Sequence, residues 1–199
     1  MSPHADVPAP LPPAERYRHL AERFTEVVLA TPSAMWTCPS PCEQWTALDV
    51  FAHVVSTEAD FLARMPGAEP LDLGLADHSD RDHLMQAWVI VRDAVQRSLD
   101  DPARAGQEYD GYFGRTTFQD TIEKFYASDL VVHAWDIAAA TGRAGEHRID
   151  PSEMARYRAD FAGMADMMRQ PGVLGPELEV ESDADDQTRF LAWLGRREP

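Results

Sequence analysis

The stretch Thr117-Phe-Gln-Asp-Thr-Ile-Glu-Lys-Phe-Tyr-Ala-Ser-Asp-Leu-Val-Val-His-Ala-Trp-Asp-Ile-Ala-Ala-Ala-Thr-Gly142 decides the fold class. Thr117 and Asp120 stand at the spacing of a capping box, in which a threonine and an acid three residues on satisfy backbone N–H groups at a helix start. Apolar residues then recur at three-and-four spacing. Gly142 follows as the residue that most readily takes the left-handed conformation closing a helix. The spacing predicts a helix from about Phe118 to Thr141, the longest and least polar of the chain.

Upstream, Leu20, Phe24, Val27 and Val28 repeat at helical spacing between Pro13 and about Leu29. Residues 31–44 hold Pro32, Pro39, Pro41 and both cysteines and read as a long loop, because proline cannot continue a helix. Thr46 and Asp49 repeat the capping-box spacing and open a second helix to about Met65, with Leu48, Phe51, Ala52, Val55, Ala59 and Leu62 as its apolar stripe. Leu84, Ala87, Trp88, Val91 and Val95 mark a third. Residues 100–114, rich in glycine, read as a loop with at most a short extended piece. Downstream, Asp150-Pro-Ser-Glu153 combines an N-cap acid with a first-turn proline and opens a fifth helix to about Met168. A short last helix covers about 185–195. No alternation is long enough to demand a sheet, and nothing repeats at a period of 20 to 50 residues. The expected architecture is all-α, a four-helix bundle with additional short C-terminal helices, in a single domain over 1–199 with 1–12 flexible. The long loops between the first and second helices and between the third and fourth leave room for crossovers.

The 199 residues carry a net charge of −16, which argues against a surface that wraps a phosphate backbone, so nucleic acid is not an expected partner. The first dozen residues lack the pattern of a signal peptide. The apolar runs at 87–91 and 137–140 fall well short of the roughly 20 residues that span a bilayer, so no membrane association is expected and the location is cytoplasmic. Two cysteines at C-x-x-x-C spacing make neither a disulfide framework nor a redox motif, and read as ordinary loop thiols. Seventeen of the eighteen basic residues are arginine and asparagine is absent, the mark of a GC-rich coding genome.

Of seven histidines, His4, His19, His78, His83 and His147 stand in polar or terminal contexts where an exposed imidazole is expected. His53 and His133 instead lie beside core-facing stripes. A buried imidazole needs partners for two ring nitrogens, and a satisfied core histidine is the ordinary outcome for either one alone. Asp129, four residues before His133, shares its helix face one turn away. Where the second helix packs on the fourth, His53 completes a set of two histidines and one carboxylate with open positions, which suits a divalent metal. Spacing alone leaves plain hydrogen bonding open beside metal ligation. Asp136 can take the second ring proton of His133 or stand on the surface. Trp45 and Trp135 read as core or rim aromatics. Cys42 can approach the metal, although nothing nearby in sequence is placed to activate it.

Four stretches carry a resemblance: Pro41-Cys-Glu-Gln-Trp-Thr46, Asp49-Val-Phe-Ala-His53, Asp129-Leu-Val-Val-His-Ala-Trp-Asp-Ile-Ala138 and Leu191-Ala-Trp-Leu-Gly-Arg196. The chain resembles the DinB-like metalloprotein superfamily, and within it the actinobacterial branch related to the N-terminal domain of mycothiol-dependent maleylpyruvate isomerase. The resemblance implies a four-helix bundle holding zinc or nickel through one histidine of the second helix and two ligands of a later one, positions matched by His53, Asp129 and His133. Asp129 stands where the isomerase has a glutamate, a shorter carboxylate that is still a competent ligand. Where the isomerase continues into a second domain that helps hold its substrate, this sequence ends at Pro199, so isomerase activity is not carried over.

The resemblance also makes a low-molecular-weight thiol, mycothiol, the expected cosubstrate. The leading expectation is a metal-dependent thiol transferase acting on a small-molecule electrophile, as a monomer or homodimer. Two others stand beside it: a hydrolase using metal-activated water, which lacks an evident general base, and a non-catalytic bundle that binds metal or a small ligand.

Overall fold

In a computed structural model the chain is described over residues 11–73, 80–169 and 174–197 and is mostly helical. α1 (Pro13–Ala30) begins on a proline, whose missing N–H costs nothing in a first turn. α2 (Ala47–Arg64) starts at the anticipated capping box: Thr46 N–H donates to Asp49 Oδ2 at 2.8 Å, and Asp49 N–H donates back to Thr46 Oγ1 at 3.2 Å. α3 (Arg81–Asp100) is capped by Asp80, and a single turn, α4 (Pro102–Ala105), by Asp101. An antiparallel hairpin follows, β1 (Glu108–Gly111) and β2 (Gly114–Thr117), with Glu108 opposite Thr117 and Gly111 opposite Gly114. Its tip is Tyr112-Phe113. Neither has positive φ, so the chain closes the turn through Gly114 at φ +108°, a conformation open to glycine.

The long predicted helix exists in three registers. α5 (Phe118–Thr121) leads into a π-helical turn over Ile122–Tyr126, closed by a bond from Ala127 N–H to Ile122 O, and then into α6 (Ala127–Ala140). α6 is buried at every position except Asp129 and Ala140, as a helix apolar on all sides requires. α1 and α2 each pack against both α3 and α6. Phe24 packs edge-on to Trp88 at 5.1 Å in the core between them, and Trp88 Nε1 donates to Thr25 Oγ1 at 2.9 Å. α7 (Pro151–Phe161), the single turn α8 (Ala165–Met168) and α9 (Asp186–Trp193) complete the chain, with α9 against α7. Arg16 on α1 ties this layer down, donating through Nε to both oxygens of Glu153 on α7 at 3.0 and 3.1 Å and through Nη1 to Glu123 O at 2.8 Å. Among the described residues no helix is long and apolar enough to cross a membrane.

Several expectations are corrected. The loop at 100–114 contains a helical turn and a paired hairpin rather than a lone extended piece. The fifth helix stops at Phe161 and resumes at Ala165; Gly163, costly inside a helix, lies in the break. The buried stripe of α2 is Val50, Phe51, Val54, Val55, Glu58 and Phe61, rotated from the expected one, so Leu48, Ala52, Ala59 and Leu62 sit at its margin. His19 and His83 are exposed as expected, but His147 is half-buried and its pKa falls to about 4, through burial first and then the charges of Arg23 and Arg143. His4, His78 and most of the expected flexible leader lie outside the described residues.

Candidate metal centre

The packing of α2 on α6 brings His53 against the Asp129 and His133 turn, so residues 76 or more positions apart offer donor atoms to one point. One ligand atom each from His53, Asp129 and His133 lies within 4.8 Å of the others, and His53 Nε2 is 3.9 Å from Asp129 Oδ2. A metal with bonds of about 2.1 Å needs tetrahedral ligand atoms about 3.4 Å apart, so small side-chain rotations close the set. His53 and Asp129 keep side-chain exposures of 29% and 38%, which leaves their shared side open to the cleft.

Each donor is tuned by what surrounds it. Burial, then the charge of His133 and of Arg196, lowers His53 to about 4, so at neutral pH it is an uncharged imidazole with a lone pair to give. Asp129 is raised by burial, against the pull of His133 and Arg196. Behind His133 lies a closed network. The His133 Nδ1–H donates to Asp136 Oδ2 at 2.9 Å, which leaves Nε2 for the cleft. Arg196 Nε donates to Asp136 Oδ1 at 3.0 Å, and Arg196 Nη2 donates to Asp136 Oδ2 and to Cys42 Sγ, both at 3.2 Å. Cys42 Sγ lies 3.2 Å from Asp136 Oδ2. Burial works against a charged Asp136, but Arg196 above all, with the bond and charge of His133, holds it well below the usual carboxylate range. Burial likewise opposes a charged His133; the bond to Asp136, a bond to Cys42 and the charges of Asp136 and Asp129 outweigh it and hold the ring up to about 10.

Cys42, His133 and Asp136 also cluster closely enough to grip a cation. The Arg196 guanidinium already occupies that side and neutralises Asp136, so His53, Asp129 and His133 form the better-suited set. Asp136 is therefore the ring-proton acceptor that its spacing allowed, and it is fully buried rather than on the surface. Trp135 is core, whereas Trp45 is at the rim, 4.9 Å from His53 between ring centroids. Cys38 is the ordinary loop thiol expected of it; Cys42 is not. A turn closed by Trp45 N–H to Cys42 O at 3.0 Å, with Gln44 at φ +67°, aims Cys42 and Trp45 into the cleft.

Two further participants escaped the sequence reading. Arg196 is brought in by Gly195, whose φ of +79° and approach to Gly175 admit no side chain. Glu58, 1% exposed, accepts from the Tyr17 hydroxyl at 2.7 Å and has a second oxygen without a partner. Burial pushes its carboxyl up to about 8, against the Tyr17 bond and with help from Asp129. Its position on the stripe of Val54, Val55 and Phe61 was the available signal. The cleft over the centre holds about 620 Å³.

Compared with known proteins, the chain matches the family described as the mycothiol maleylpyruvate isomerase N-terminal domain over residues 17–138, a DinB-like, metal-associated group. That span contains His53, Glu58, Asp129, His133 and Asp136 and stops short of Arg196. Two uncharacterized proteins of Mycobacterium tuberculosis, MT0763 of strain CDC 1551 and Rv0738 of strain H37Rv, are each 26% identical over 160 residues, covering 79% of this chain and 83% of theirs. No solved structure matches.

Proposed function

Because the chain belongs to the mycothiol maleylpyruvate isomerase N-terminal domain family, we propose that it is a DinB-like four-helix bundle in which His53, Asp129 and His133 hold one divalent metal, zinc or nickel. We read it as a thiol S-transferase that joins mycothiol, or a thiol like it, to a small electrophile. A bound divalent metal supplies the positive charge that lowers the pKa of a thiol and yields a thiolate at neutral pH. The observation that carries the reading is the convergence of three tuned donors from two packed helices on an open cleft.

The residues divide the work. His53 gives a neutral nitrogen without first losing a proton. Asp136 orients His133 and keeps its Nε2 facing the cleft, while Arg196 holds Asp136 ionised. Trp45 and the turn at Cys42 cover one side and limit water. In this reading the partners are small molecules, and the chain works in the cytoplasm without nucleic acid or membrane, as a monomer or homodimer; its charge of −16 supports the exclusion of nucleic acid.

Metal analysis of untagged protein tests the assignment. One metal per chain is expected, lost in His53→Ala and His133→Ala. Protein that stays empty after reconstitution with zinc, nickel, iron and manganese would refute it. Thiol consumption that depends on metal separates a transferase from a bundle that only binds metal.

A further inference from the structure

The cleft over the metal centre has two kinds of lining. His53, Asp129, His133, Cys42 and Arg196 bring polar atoms to it, and Phe125, Val132, Phe161, Met168 and Leu174 bring apolar surface. What decides the chemistry of a second substrate is which lining groups are free to meet it. Arg196 spends its N–H groups on Asp136, Cys42 and Leu194 O. Arg169 donates to Gly175 O at 2.6 Å, to Trp193 O at 3.2 Å and to Glu177 Oε2 at 3.3 Å, and its guanidinium lies 5.7 Å from the Trp193 ring. Among the described residues, then, both arginines that line the cleft are already engaged with protein acceptors, and Glu43 at its mouth adds a negative charge. Phe125, Val132, Phe161, Met168 and Leu174 make much of the remaining lining apolar.

That wall is built and braced. The π-helical turn inserts one residue ahead of α6, which rotates the preceding chain by about 100° relative to it and sets the Phe125 register. Phe161 meets Phe125 edge to face at 5.7 Å, and Tyr157 lies 4.5 Å from Phe161. From outside, Phe113 at the hairpin tip stacks on Phe125 at 5.6 Å and 14° although it is 52% exposed, and its neighbour Tyr112 is 94% exposed. Lys124, the one lysine of the chain, lies 5.7 Å from the centroids of both Phe125 and Phe161. An exposed aromatic hairpin leaning on a cleft wall extends that wall toward solvent.

We propose that the second substrate of this centre is a neutral, apolar electrophile with an aromatic or alicyclic body, received against Phe125 and Phe161 and selected by the Phe113 hairpin tip. The volume of about 620 Å³ suits a molecule of that class. The inference rests on the proposed thiol transfer for the identity of the other substrate. With an aryl halide the thiol sulfur forms the new S–C bond, the C–halogen bond breaks, halide leaves with its electron pair, and the thiol proton passes to solvent; no oxidant or reductant is needed.

The test begins with binding, which does not depend on turnover. N-phenylnaphthylamine, a neutral fluorophore, is titrated into metal-loaded and metal-stripped protein. Saturable binding at one site is expected in both forms, weakened at least tenfold by Phe125→Ala and several-fold by Phe113→Ala, a half-exposed position whose loss leaves the core intact. Maleate, a small dicarboxylate, should not displace it. With metal and a thiol present, a neutral dinitroaryl chloride should be consumed at least tenfold faster than a carboxylated one, and Phe113→Ala should raise KM for the neutral acceptor with little change in kcat. Absent binding, binding indifferent to both variants, or displacement by maleate would overturn the proposal. If the protein takes up no metal yet binds the fluorophore through Phe125, the thiol-transfer reading fails while the ligand class stands.

Discussion

Glu58→Gln probes the centre's hidden charge. The folded protein holds this carboxyl up to about 8, against 4.5 for an ordinary glutamate, chiefly because it is buried with one oxygen unpartnered. Below pH 4.5 both the folded and the unfolded chain keep it protonated, and the residue costs nothing. As pH rises, the unfolded chain ionises while the folded one cannot, so stability drains away at about 1.4 kcal/mol per pH unit until the folded pKa is reached. The sign is that of a raised pKa: the stabilising term is complete below the unfolded value and lost as pH climbs through the folded one. By pH 7 the loss amounts to about 3 kcal/mol, a large share of a domain's stability. Glutamine has the same shape, accepts from Tyr17 and cannot ionise. Urea unfolding of metal-stripped native and Glu58→Gln protein from pH 4.5 to 8 should show the variant gaining on the native protein by about 1.4 kcal/mol per unit. Taking the difference cancels the groups that do not interact with Glu58. A difference that stays within about 0.5 kcal/mol across the range would mean that Glu58 ionises normally inside the fold, and the burial argument would fail.

Three other outcomes follow from the same geometry. Asp136→Asn removes the carboxylate that orients His133 and neutralises Arg196; zinc affinity, read by competition with a chromophoric chelator, should fall about 10- to 100-fold, with a stability loss of about 3 kcal/mol in chemical denaturation. Metal uptake should release a proton and tighten about tenfold per pH unit between pH 6.5 and 8.5, because the raised His133 ring must deprotonate first; calorimetry in buffers of different ionisation enthalpy measures it, and pH-independent affinity would show His133 neutral in the empty protein. Gly195→Ala puts a Cβ 2.8 Å from Gly175 Cα and 2.9 Å from Pro176 O at φ +79°, all backbone obstacles; a loss of about 3 kcal/mol and weakened metal binding are expected, since Arg196 is the next residue.

The sequence by itself determined what local spacing controls. Helix starts at Thr46, Asp150 and Asp185 were legible because a cap and its N–H partner lie within three residues. The Asp129 and His133 pair was legible for the same reason, since four residues make one helical turn, and His53 stood out as an imidazole beside a core-facing stripe, a position the family resemblance also matched. The π-helical turn was not legible: residues 122–126 satisfy an α-helical pattern equally well, and the wider turn shows only in the folded chain, where Phe125 meets Phe161 of α7. The hairpin at 108–117 alternates too briefly to be told from a loop until its strands pair. Cys42 and Arg196, 154 residues apart, meet directly and share Asp136, and no spacing encodes such a contact. Glu58 was readable as an acid on a buried stripe, yet its altered ionisation comes from burial under packed segments and from Asp129, against the bond from Tyr17 on α1. Local hydrogen bonds wrote the helices, and with them the facing Asp129 and His133 side chains, into the sequence. The tertiary structure decided the charges, because desolvation and through-space pairing exist only once distant segments have packed.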